Sequence, residues 1–143
     1  MKTIALRFAE TFAPNEGTIK AHEKIIDKYG YVWYGKLGTP ISQQVANEIL
    51  QNDNCKILLI NSGRFERYWA YIVEISKELP EQEKIPSYYW DKAKDVKTWF
   101  KVIKFEETPK NIMSMCRVFS SGNILSHVSK YSMSPYFVIE VDE

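Results

Sequence analysis

The stretch YVWYGKLGTP, residues 31–40, gathers Tyr31, Trp33 and Tyr34 just ahead of Gly35 and Gly38. Rings beside glycines mark a strand running into a turn, where a hydrophobic core is thinnest. Two readings stay open at this point: core residues, because Tyr and Trp favour strands, or the wall of a pocket for a planar ligand. Working outward, TPISQQVANEILQNDN sets Ile41, Val45, Ala46, Ile49 and Leu50 along one side of a helix with Ser42 as its N-cap. On the other side, TIKAHEKIIDKYG brings Ile19, His22, Ile25, Ile26 and Tyr29 near one helical face and stops at Gly30.

The rest of the chain reads mainly as strands. TIALRFA alternates; CKILLI is the most apolar strand; RYWAYIVEIS follows it across the turn NSGRFE, as its sheet neighbour. Trp69 and Tyr71 share one face of that strand and Tyr68 takes the other. KELPEQEKIPSYYWDKAKDV has no clean period and contains prolines, so a loop is expected. KTWFKVIKFEE returns to strand. An irregular segment with a short helix around residues 123–128 leads to the last strand, YFVIEV, a candidate partner for residues 98–105. The expectation is an α+β chain: a mixed sheet of about five or six strands with two helices outside, without the regular strand and helix rhythm of a doubly wound fold.

The 143 residues are enough for one sizeable core, so residues 1–143 are read as a single domain. No run approaches the roughly eighteen apolar residues of a membrane span. Two cysteines make neither a metal quartet nor a disulfide framework, and MKTIALRFAE lacks the apolar core and cleavage site of a signal peptide. The expected compartment is therefore reducing and cytoplasmic. The formal charge of +1 excludes global attraction to nucleic acid or membrane and leaves room for a local patch.

Phosphate-cradling, zinc-protease, nucleophile-elbow and zinc-deaminase motifs are absent. No catalytic residue, metal ligand or cofactor site is assigned. His22 reads as a structural histidine; His127, in NILSHVSK, is either a helix-surface residue or a phosphate contact. The aromatic inventory says more. Four Trp and nine Tyr fall beside turns and strand ends in VWYG, RYWAY, SYYWD and TWF, where rings that converge would sandwich a base while amides read its edge. Lys92, Lys94 and Lys97 lie in or beside a loop, and Arg64 and Arg67 bracket RFER. These cations are either ordinary solvated surface or contacts to a phosphate backbone.

The succession VWYGKLG, SQQVANEILQ, KILLINSG, RYWAYIVEIS, IPSYYWD and TWFKVIKFE, over residues 31–107, resembles the PUA-like superfamily. It is most similar to the EVE and YTH branch and to the EVE-like modules at the N-termini of McrB-type restriction subunits. The resemblance implies a curved mixed sheet forming a barrel-like core with flanking helices, and a pocket for a base extruded from nucleic acid. It makes Trp33 a candidate stacking wall, with Tyr34 beside it, Asn61 and Ser62 edge-reading groups, and Tyr89 and Trp90 the aromatic loop by the pocket. The partner implied is modified double-stranded DNA rather than messenger RNA. Nucleotide hydrolysis and DNA cleavage would then belong to other domains or subunits of a restriction system. An RNA reader and a module for a small ligand or a protein partner are the alternatives.

Overall fold

A computed structural model describes residues 1–11, 13–61 and 64–142. The alternating opening segment forms β1 (Lys2–Phe8), and the apolar period after Gly17 forms α1 (Thr18–Tyr29). Gly30 ends α1 in the left-handed region, φ 86°, and its N–H donates to the Ile26 carbonyl at 2.7 Å. Then come β2 (Val32–Lys36) and α2 (Gln43–Leu50), where the Ser42 hydroxyl accepts the Val45 N–H at 3.1 Å, as its place before the apolar run predicts. The hairpin β3 (Lys56–Asn61) and β4 (Arg67–Ser76) follows, antiparallel as expected. The proline-bearing segment after it makes three single-turn 3₁₀ helices, Gln82–Lys84, Ser87–Tyr89 and Ala93–Asp95, before β5 (Thr98–Glu107). The chain ends through β6 (Cys116–Val118), α3 (Leu125–Tyr131) and β7 (Tyr136–Val141).

The strands form one seven-stranded mixed sheet in the order β2-β5-β4-β3-β1-β7-β6. Among the described residues, only the β1–β3 pair is parallel. Alternation sorts the side chains between its faces: Ile4, Leu6 and Phe8 join Ile57, Leu59, Val102 and the apolar sides of α1 and α2, while Ala5, Leu58, Ile60 and Trp69 pack with β6, β7 and α3. Tyr68 leans on the first cluster and Tyr71 on the second, in the phase the sequence gives them. A third cluster, Ile85, Ala93, Val96 and Trp99, holds the 3₁₀ segment against the start of β5.

Three details differ from expectation. β7 pairs with β1 and β6 rather than with β5, because both edges of β5 are taken by β2 and β4. The three-residue β6 is too short to show a period, which is why seven strands appear where fewer were expected. A third helix, α3, starts two residues later than residue 123 would place it and runs on to Tyr131. The curved sheet is not closed by a hydrogen-bonded ladder: β2 and β6 are its outer strands. No helix among the described residues is long and apolar enough to cross a membrane.

Candidate nucleic-acid interface

The open edge of β2 sets the geometry. The sheet curls so far that Lys36, at the end of β2, carries its Nζ 4.6 Å from the ring centroid of Tyr136 at the start of β7, although four strands stand between β2 and β7 in the sheet order. Side chains rather than backbone pairing bridge that seam. A cavity of about 240 Å³ lies within it, lined by Leu6, Arg7 and Phe8 of β1, Tyr34, Gly35 and Lys36 of β2, and Tyr88, Tyr89 and Lys92 of the 3₁₀ segment. Clefts that hold drug-sized ligands span roughly 300–1,000 Å³, so this one suits a single planar ring better than a whole nucleotide.

Each wall is held from behind. The Tyr89 hydroxyl donates to the Gly35 carbonyl at 2.9 Å, and its ring meets Tyr88 edge-on at 5.6 Å and Trp99 at 6.3 Å. That bond ties the 3₁₀ segment to the β2 backbone at the cavity edge. Tyr34 tilts against His22 at 4.9 Å, and His22, 1 % exposed, donates from Nδ1 to the Thr18 carbonyl at 2.8 Å. Arg7 donates to the carbonyls of Ser129, Ser132 and Ser134, pinning the chain between α3 and β7 at the rim.

Burial governs the titration of these groups. It pushes the Tyr34 phenol well above its ordinary range, with the neighbouring phenols of Tyr89 and Tyr88 adding to the shift. Burial likewise raises Tyr88 and Tyr89, and it lowers the Lys36 ammonium. The phenols therefore stay protonated at neutral pH, as uncharged aromatic walls with hydroxyl groups.

The sequence-nominated residues divide between two places. Tyr34, Tyr89 and Lys92 meet in this cavity. Asn61 and Arg64 line a second, wider cleft of about 720 Å³ that adjoins the first at Phe8 and Thr18. Trp33 lines neither: it points to the opposite face of β2 from Tyr34 and packs on the cluster of Ile85, Val96 and Trp99. Trp90 fastens its loop, donating from Nε1 to the carbonyls of Gln82 and Ile85 at 3.0 and 3.1 Å. Lys94 and Lys97 are exposed beside the 3₁₀ segment, whereas Arg67 is spent on the Phe65 carbonyl and the Met113 sulfur. His127 is exposed on α3. Ser62 lies outside the described residues.

Sequence reasoning did not select Arg7, Lys36 and Tyr88. Tyr88 was within reach, as it precedes Tyr89 in the same SYYW run; Arg7 and Lys36 look like ordinary strand residues until β1 and β2 are brought face to face.

The family model described as Pua-like matches residues 4–134. The chain belongs to the Pua-like family. No curated protein and no solved structure matches it. The Pua-like assignment takes in β1 through α3, so both cavity-forming strands and the 3₁₀ segment lie inside the matched region. Membership points to a module that binds nucleic acid or a modified base, the class of ligand that a ring-sized aromatic cavity suits.

Proposed function

We propose that this protein is a non-catalytic reader of a modified base in DNA, which it flips out of the duplex into the seam between β1 and β2. The observation that carries this reading is the cavity of about 240 Å³, walled by Tyr34, Tyr88 and Tyr89, with the Gly35 backbone at its edge and Lys92 at its side. Unstacking a base costs a few kcal/mol, and stacking on aromatic side chains returns about 1–3 kcal/mol per base. The Gly35 N–H and the phenols supply edge-reading hydrogen bonds. Lys92, Lys94 and Lys97 hold the flanking phosphates, a contact that fixes position without reading sequence. Trp33 and Trp90 act from behind, stiffening the strand and the loop that carry the cavity walls.

A buried methyl group adds only about 0.8 kcal/mol, so strong preference for a modified base needs shape exclusion or changed hydrogen bonding as well. The resemblance to McrB-type modules supports a role within a modification-dependent restriction system, in which other domains or subunits would supply nucleotide hydrolysis and cleavage. The test is equilibrium binding to matched duplexes carrying unmodified adenine or cytosine, N6-methyladenine, 5-methylcytosine or 5-hydroxymethylcytosine, beside single-stranded DNA and RNA. Preference for one modified duplex, reduced about 10- to 100-fold by Tyr88→Ala in folded protein, supports the reading. Preference for RNA moves it to the RNA-reader alternative, and equal weak binding throughout rejects it.

A further inference from the structure

The second cleft has a chemistry of its own. Its described lining carries five glutamates, Glu10, Glu16, Glu23, Glu66 and Glu107, against Lys20 and Arg64. They come from the chain after β1, from α1, from the β3–β4 turn and from the end of β5, so folding rather than a local acidic run brings them together. Glu16 is paired with Lys24, and Glu10 accepts the Thr18 N–H at 2.9 Å. Among the described residues, the carboxylates of Glu23, Glu66 and Glu107 are in no ion pair. The Tyr68 phenol registers this field: burial raises its pKa first, and Glu107, Glu66, Glu23 and Glu10 each raise it further.

A second observation points to a ligand. Asn61 lines the cleft, is 6 % exposed, and its Oδ1 has no hydrogen-bond partner among the described residues. A buried acceptor without a donor is costly, and it is satisfied by a group that brings N–H bonds. The unpaired carboxylates call for positive charge, and the Tyr68 and Phe105 rings offer apolar surface beside them. One chemical group meets all three demands.

We propose that this cleft binds an alkyl ammonium group, whose N–H bonds satisfy Asn61 while Glu66 and Glu107 balance its charge and the Tyr68 and Phe105 rings pack along its methylene chain. A metal ion fits less well, since no cluster of three or more His, Cys, Asp or Glu among the described residues could hold one. Carboxylates spread around a cleft of about 720 Å³ match a long flexible cation. The group comes either from a free polyamine or from a lysine side chain of a protein segment. The site shares only Phe8 and Thr18 with the base cavity and stands independently of the base-reading proposal.

The experiment is calorimetric titration of the whole chain with spermidine, with an acetylated tri-lysine amide, and with magnesium chloride at matched ionic strength. Two charge-matched variants are compared: Glu66→Gln with Glu107→Gln in the cleft, and Glu78→Gln with Glu81→Gln outside it, all four positions being exposed. The expected result is one-to-one saturation by at least one of the two amines, weakened about tenfold by the cleft variant and little by the other. Saturation by spermidine alone assigns a free polyamine; saturation by the peptide alone assigns a lysine-bearing segment. Titration without saturation, equal competition by magnesium, or equal weakening in both variants overturns the proposal.

Discussion

At Gly35 the constraint is space rather than backbone conformation. A β-carbon placed there would lie 2.8 Å from Trp99 Cζ3 and 3.1 Å from Val96 Cγ1. Gly35→Ala therefore forces Trp99, wholly buried, to shift, and should destabilise the fold by about 1–3 kcal/mol in urea unfolding. His22 makes a different prediction. Burial holds its imidazole down to about 4 from the ordinary 6.5, against an opposing hydrogen bond to Thr18. The folded state thus keeps His22 neutral while the unfolded chain takes up a proton below 6.5. Its contribution is intact above pH 6.5 and is lost as pH falls toward 4, by up to about 3 kcal/mol. Stability measured between pH 7 and 4 should fall accordingly, and His22→Leu should flatten that part of the profile.

Among the elements, the 3₁₀ segment between β4 and β5 is the part that connects core to cavity. Its buried side, Ile85, Ala93 and Val96 against Trp99, anchors it, while its other side presents Tyr88, Tyr89 and Lys92. No helical or strand period marks this region, because each 3₁₀ turn is only three residues long. The facing rim depends on Arg7, which ties β1 to the last turn of α3 and the segment after it through three backbone carbonyls. Arg7→Ala leaves those carbonyls without their charged donor. It should cost about 2–4 kcal/mol in denaturant unfolding and speed amide exchange in residues 132–134.

For the whole molecule, the small net charge conceals a division. The acidic cleft adjoins the base cavity at Phe8 and Thr18, while Lys92 lines that cavity and Lys94 and Lys97 follow it in the same loop segment. On the proposed reading, a nucleic-acid backbone passes on the lysine side and is repelled by the glutamates. Replacing the three lysines by Gln should lower the slope of log K against log salt by up to about 2–3, with little change in the preference between modified and unmodified duplexes. A slope unchanged by the triple substitution would move the backbone path elsewhere.

Most elements were legible in the amino-acid order. Alternation in Lys2–Phe8 and Arg67–Ser76, the apolar stripe of Thr18–Tyr29 and the Ser42 cap are local signals, carried by residues a few positions apart. The same period-two rule, applied within VWYG, separates Trp33 from Tyr34; it could not say which face would meet a cavity. That depended on the curl of the sheet, which brings the β2 edge to β1 and the start of β7 without pairing them, and on a hydrogen bond from Tyr89 to Gly35 across 54 residues. Sequence by itself determined the strands other than β6, the first two helices and the chemical types available to a site. Tertiary structure alone decided which of those side chains meet, because the seam is a property of seven strands packed together and of no segment within them.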